Sequence, residues 1–168
     1  MLDLDLQAGK ILAIQGDAAT VSTLLISMAV KLQERSKVLY IDSAHTFNPA
    51  FLKESYHKST AFSLTRILVS RPFTCDQLAC IVNKLEQAVR ETRAKSIIIS
   101  SLDGLFFDQD ADEKDAVFQL SRIMENLLLL AKRRGIVLLV GLSPRLEKSE
   151  GLMFKSVLED AIDMVCHI

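Results

Sequence analysis

The residues whose types and spacing come nearest to chemistry lie in Lys10 to Ser27, KILAIQGDAATVSTLLIS. A short apolar run, Ile11 to Ile14, reads as a buried strand. Gly16 breaks it, small residues follow from Asp17 to Ser22, and Thr23 opens an apolar-periodic run through Leu24, Leu25, Met28, Ala29 and Leu32 that predicts a helix. Strand, Gly-led loop and helix are the setting of a phosphate-binding loop, whose working pattern is G-x-x-x-x-G-K-[ST]. Gly16 opens that pattern, and Asp17, Ala18, Ala19 and Thr20 fill its variable positions. Val21 then stands at the second glycine and Ser22 at the lysine, so only Thr23 fits the end. A β-branched valine does not readily take the backbone angles of a glycine, and serine has no cation for the β- and γ-phosphates. The stretch is either a nucleotide-site frame without its chemistry or a tight strand-to-helix turn filled by its own side chains.

Other reactive side chains are scattered. His45, His57 and His167 form no ligand-spaced set with one another or with Cys75, Cys80 and Cys166, so no metal site is expected. Three cysteines are too few and too irregular for a disulfide framework, and their apolar neighbours predict buried thiols in a reducing, cytoplasmic setting. With 168 residues, 49% of them apolar, and a mean hydropathy of +0.25, the expectation is one compact domain over residues 1–168. A net charge of −1 gives no general attraction to nucleic acid or anionic membranes. No apolar run reaches membrane-span length, and MLDLDLQAGK lacks the basic start and apolar centre of a signal peptide.

The elements that would position these residues alternate regularly. Strands are predicted over Lys37–Asp42, Arg66–Ser70, Ser96–Leu102, Ile136–Leu142 and Ile162–Ile168. Helices are predicted over Pro49–His57, from a Thr74 cap to Arg93, over Lys114–Arg134 up to Gly135, and over Phe154–Ala161. An acidic loop is expected from Asp103 to Glu113, and a polar one from Ser143 to Gly151. The alternation predicts an α/β domain with a mostly parallel central sheet flanked by helices on both faces.

Taken in order, nearly the whole chain resembles the RecA/RadA recombinase core, the RecA-like branch of P-loop ATPases that includes KaiC-type proteins. The Gly16–Thr23 frame carries part of the likeness. VLYIDSAHTFNP, Val38 to Pro49, is similar to a family strand ending in an Asp-Thr-Glu-Gly-x-Phe-x-Pro-like turn, with Asp42, Phe47 and Pro49 matching. IIISSLDGLF, Ile97 to Phe106, looks like the Walker B strand, and RILVSRPFTCDQL, Arg66 to Leu78, like the strand-Arg-x-Phe-helix segment. The resemblance implies a RecA-like P-loop fold in which each acting position is changed. The loop lysine is Ser22, the water-activating acid is Ala44, the Walker B aspartate is Ser100, and the polar sensor falls near Ser143. Asp17 decides nothing, because related loops often carry an acid there. Asp42 and Asp103 are the carboxylates left that would hold a metal, and Lys10 precedes the strand and points away from the loop. Phosphoryl transfer rests on positioning and charge neutralisation, so no ATP hydrolysis is expected. ATP or ADP binding is not favoured, and no cofactor is expected.

In those recombinases DNA is gripped by loops after the Walker B and fifth strands. Here the first carries Asp103, Asp108, Asp110, Asp112 and Glu113 against Lys114, and the second mixes Arg145 and Lys148 with Glu147 and Glu150. Lys132, Arg133 and Arg134 form the one cationic cluster, placed where it complements a helix dipole. DNA association is therefore expected to be weak or indirect, with these five cations as candidate DNA or partner contacts. The first strand also begins too early for the extra domain or linker by which recombinases dock into filaments. The expected function is a non-catalytic paralogue that partners an active RecA/RadA-type recombinase in recombination or repair, with Phe106, Phe107 and Met153 as candidate apolar anchors. The alternatives are a non-hydrolysing nucleotide sensor of KaiC-like kind and a self-associating structural domain, a self-dimer covering the former nucleotide face.

Overall fold

In a computed structural model, residues 6–56, 63–107 and 112–168 are described. The strands are β1 (Ile11–Gln15), β2 (Val38–Ile41), β3 (Ile67–Ser70), β4 (Ser96–Ile99), β5 (Val137–Leu142) and β6 (Met164–His167). The helices are α1 (Ala18–Leu32), α2 (Pro49–Tyr56), α3 (Cys75–Thr92), α4 (Gly104–Phe107), α5 (Glu113–Arg134) and α6 (Leu152–Ala161). The strands form one sheet, in the order β3-β2-β4-β5-β1-β6, and each neighbouring pair is parallel.

Strand alternation divides the core in two. Ile11, Ala13, Leu39, Ile41, Ile97 and Ile99 face α3, α5 and α6. Leu12, Ile14, Val38, Tyr40, Ile98 and Leu139 face α1 and α2. Both faces are covered, which is why the strands read as continuous apolar runs. The chain moves one way across the sheet from β1 through β2 to β3, and the other way from β3 through β4 and β5 to β6. Right-handed crossovers then send the helices of the two halves to opposite faces. At the C-terminal edge the neighbours β2 and β4, and likewise β5 and β1, send their outgoing chains to opposite faces. Open α/β sheets bind ligands at such places.

Local chemistry sets the helix ends. The Thr74 hydroxyl accepts from Gln77 N, the Asp112 carboxylate accepts from Lys114 N, and Gly135 closes α5 at φ 60°. Several boundaries differ from the sequence expectation. α1 begins at Ala18 rather than Thr23, because Asp17 caps it there. α4 occupies the start of the segment read as an acidic loop, whose residues 108–111, with Asp108 and Asp110, lie outside the described residues, as does His57 at the expected end of α2. α6 begins at Leu152, and the last strand is shorter than expected. Of the thiols, Cys75 is buried as expected. Cys80 is exposed, off the buried stripe of α3, and Cys166 is half-buried on the edge strand β6. Among the described residues no helix is long and apolar enough to cross a membrane.

Candidate functional site

The C-terminal edge of the sheet gathers the residues on which nucleotide chemistry would depend. After β1 the chain turns at Gly16, whose N–H donates to Leu142 O at 3.4 Å. Asp17 follows in extended conformation, and its carboxylate accepts from Ala19 N at 3.0 Å and Thr20 N at 3.2 Å, and from the Thr20 hydroxyl. The Thr20 hydroxyl, then the Ala19 N–H, hold the Asp17 carboxyl below its ordinary range. Free N–H groups at a helix N-terminus are what a phosphate would bind. Here the chain supplies its own anion to two of them. Ala18 to Thr23 form the first turns of α1, not a loop that wraps a ligand.

Val21 and Ser22 face inward, 3% and 5% exposed. Val21 packs on β5 where Gly141 permits close approach: a Cβ there would meet Val21 Cγ1 at 2.9 Å and run into the Ser100 carbonyl. Val21 is therefore a core residue under α1 and does not crowd a cradle. The Thr23 hydroxyl donates back to Ala19 O at 2.8 Å. Lys10 lies at the other end of β1, paired with Asp163 at 2.7 Å.

At the ends of β2 and β4 the polar groups satisfy one another. Asp42, 0% exposed, accepts from Thr46 N at 3.0 Å, Phe47 N at 3.1 Å and Arg71 Nε at 2.8 Å, and from the Ser100 hydroxyl at 3.4 Å. Arg71 also donates to Phe47 O. The Ala44 N–H donates to Ser100 Oγ at 2.9 Å, so the turn after β2 lies against the end of β4. Ser43 Oγ donates to Ser101 O and accepts from Ser101 N.

Between β4 and β5, Asp103 is fully buried. Its carboxylate accepts from Ser143 N at 3.1 Å and from the Ser143 hydroxyl at 2.6 Å. Burial pushes its carboxyl up, against these bonds. Gln15 Nε2 reaches Ser143 O and Glu147 from β1. Asp42 and Asp103 are thus internal fasteners. Among the described residues no group of three or more His, Cys, Asp or Glu comes together to hold a metal.

The candidate contact cations do not form one surface. Lys132, Arg133 and Arg134 end α5, just before β5 begins, at the N-terminal edge of the sheet. Arg134 pairs there with Glu86 at 2.7 Å. Arg145 and Lys148 follow β5, at the opposite edge, where Arg145 pairs with Glu150 at 3.1 Å and lies 4.5 Å from the Phe107 ring centroid. Of the expected anchors Phe106 is core, Phe107 half-buried against Phe154, and Met153 exposed.

Sequence reasoning passed over two features. His45, at φ 56°, stacks on exposed Phe73 with centroids 4.5 Å apart. A groove of about 500 Å³ runs between α1 and α2, lined by Ala19, Ser22, Thr23, Ile26, Leu52 and Tyr56 among others. No signal in the chain marks the groove, which depends on how two helices sit on the sheet. The Arg71–Asp42 pair had a signal, since both residues fall within the family-like segments. No protein-family model matches the chain, and no curated protein matches it either.

Proposed function

We propose that this chain is a non-catalytic paralogue of the RecA/RadA recombinase core, an accessory or interaction module in DNA recombination or repair that does not hydrolyse ATP. One observation carries the proposal: Asp17 caps the N-terminus of α1 at the place where a phosphate would sit, and Val21 and Ser22 are buried where a glycine and a lysine would act. A triphosphate would have to displace a carboxylate and then find neither lysine nor metal to match its charge. Ala44 and Ser100 are bonded to each other at the other acting positions, and neither side chain is an acid that could activate water. The RecA-like assignment itself is supported by the parallel sheet and by the Gly16 turn and the Asp42 turn opening at one edge of it. DNA association passes through the partner, because the cations are divided between two ends of the domain and two of them are in ion pairs.

The test is to add the purified chain to a RecA/RadA-type recombinase from the same cells. Co-sedimentation and the recombinase's DNA-stimulated ATPase are measured, and the chain alone is titrated calorimetrically with ATP–Mg²⁺ and ADP. The expected outcome is association with the recombinase, a changed ATPase, and no heat from the chain alone. ATP turnover by the chain alone, or no association while the recombinase forms filaments, would sink the proposal.

The nucleotide-sensor reading has one observation of its own, the α1–α2 groove, whose size falls within the usual range of small-molecule sites. It requires ATP or ADP to raise the melting temperature. An unchanged melting temperature at saturating nucleotide rejects it.

A further inference from the structure

The N-terminal edge of the sheet sorts charge by strand. Arg66, Lys37 and Lys95 each stand one residue before a strand, and the register sets them abreast on the adjacent strands β3, β2 and β4. Neighbouring strands lie about 4.8 Å apart. Arg35 and Arg93 stand just before Lys37 and Lys95, at the ends of α1 and α3. All are exposed, and among the described residues none is in an ion pair. At the other end of the same edge the sign reverses. Asp163 precedes β6, and Glu159 and Asp160 are exposed in the last turn of α6. The net charge of −1 hides this division, because the cations come together only through the strand order.

Two of these cations have local work. Arg66 donates to the carbonyls of Gln33 and Glu34 at 3.3 Å and so closes the end of α1. Arg93 stands at the negative end of the α3 dipole. The side chains of Lys37 and Lys95 have none. They precede strands, bond no acid, and are held side by side, with Lys95 N donating to Lys37 O at 3.3 Å. Like charges on neighbouring strands repel, so the fold gains nothing from this pair.

The signs on the face choose its partner. Glu34, beside Arg35, and Glu91, in the last turn of α3, are both exposed among the cations. A phosphate backbone or an anionic membrane presents one sign only and sets its charge against both. A duplex that continued along the edge would also reach Asp163 and the acids of α6. A protein segment carries both signs. Its carboxylates meet the lysines and the arginine forks, and a basic residue among them meets a glutamate.

We propose that the N-terminal edge of β3, β2 and β4 docks an acidic segment of a partner protein, in which carboxylates predominate and basic residues are interspersed. This deepens the interaction-module reading and rests on it only for the partner's identity.

The test uses the full chain and a fluorescein-labelled peptide of repeated Glu-Glu-Lys, followed by fluorescence anisotropy at low salt. The comparators are a Gln-Gln-Lys peptide of the same length and a labelled DNA duplex matched in number of acidic groups. Lys37→Glu with Lys95→Glu reverses the charge of the face. Lys114→Glu with Lys148→Glu makes the same change of net charge at the C-terminal edge, where both lysines are exposed. Lys37→Gln with Lys95→Gln removes the two charges, and its melting temperature reports what they cost the fold.

The expected result is binding of the Glu-Glu-Lys peptide that fades as salt rises. Lys37→Glu with Lys95→Glu weakens it about tenfold or more, and Lys114→Glu with Lys148→Glu keeps it. The duplex binds less tightly and the Gln-Gln-Lys peptide does not bind. Lys37→Gln with Lys95→Gln binds the acidic peptide more weakly than the wild type and melts no lower. A wild type that does not bind the acidic peptide overturns the inference. So does an equal loss at both pairs of lysines, which reads net charge alone, or tighter binding of the duplex, which makes the face a nucleic-acid surface. A clearly lower melting temperature for Lys37→Gln with Lys95→Gln gives the lysines a structural role and overturns it too. Peptide binding without association with a recombinase keeps this face and sinks the proposed function; the converse sinks the face alone.

Discussion

Replacing Asp42 with alanine removes, in one step, the acceptor of the Thr46 and Phe47 N–H groups, of Arg71 Nε and of the Ser100 hydroxyl. The Phe47 N–H is buried and has no water to turn to, so its orphaning carries the full desolvation penalty, about 1–3 kcal/mol. The Thr46 N–H is partly open to solvent and falls at the low end of that range. Arg71 is 44% exposed and swings into water, which discounts the ion pair to a small contribution. The sum is about 3–4 kcal/mol, a large fraction of the roughly 5–15 kcal/mol that holds a domain together. For a chain of this length that lowers the melting temperature by about 6–15 °C. Asp42→Asn keeps one acceptor oxygen but turns an amide donor towards the remaining N–H. It costs about 1–2 kcal/mol, and Arg71→Ala less still. Urea unfolding followed by circular dichroism measures all three, with the m-value held to that of the wild type. If Asp42→Ala falls within about 1 kcal/mol of wild type, or no lower than Arg71→Ala, the C-terminal edge is not held by this carboxylate and the argument from it is wrong.

Four further outcomes follow from the same packing. The pair Val21→Gly and Ser22→Lys writes a better phosphate loop on paper, yet it empties a buried site and puts glycine inside a helix. It should lose about 3–4 kcal/mol and still give no calorimetric heat with ATP–Mg²⁺; binding in the double variant would show that the frame is a loop after all. Gly141→Ala drives a methyl against the Ser100 carbonyl and Val21, and should cost about 2 kcal/mol in thermal unfolding. The Tyr40 hydroxyl is buried and has no partner among the described residues, so Tyr40→Phe should unfold within about 1 kcal/mol of wild type or above it, and a clear loss would reveal a partner. Burial raises the Asp103 carboxyl in the folded state. The folded chain then holds a proton that the unfolded chain has released, and stability from this group falls as pH rises from the unfolded value through the folded one. Asp103→Asn removes that fall, so its melting temperature should gain on the wild type as pH climbs through that window and hold the gain above it. A gap between the two that is flat with pH refutes the assignment. Glu147, held low chiefly by its bond from Lys155, acts in the opposite sense: its contribution is present above its unfolded value and lost as pH falls.

Much of the sheet was legible because the central strands are short apolar runs, each with β-branched residues, between turn signals. Thr74 and Gly135 mark helix ends by types whose mechanism is local, whereas the cap at Asp112 fell inside the stretch read as an acidic loop. Strand order was not legible, since periodicity says which residues are buried and not which strand lies beside which. The site was legible in its residues and not in its state. Ala44 and Ser100 stand out only through the resemblance, and that one bonds the other depends on β2 and β4 being neighbours. Asp42 and Asp103 looked like spare metal ligands from spacing alone. Their partners, Arg71 and Ser143, come from elements 29 and 40 residues away, beyond the reach of any window.

The turn after β1 shows how a strand-to-helix turn differs from a phosphate loop in more than one residue. A phosphate loop stays open because glycines hold non-helical angles and a bound anion satisfies the N–H groups of the helix behind it. Here Ala18 and Ala19 are the strongest helix formers available, and Asp17 is a good N-cap. The helix begins at Ala18, and the Asp17 carboxylate takes up the N–H groups of Ala19 and Thr20. That start turns Val21 and Ser22 into the core, where a glycine would leave a hole and a lysine would bury a charge. The early helix, the buried Val21 and Ser22 and the acidic cap therefore stand or fall together, and writing phosphate-loop letters into this turn one at a time does not open it.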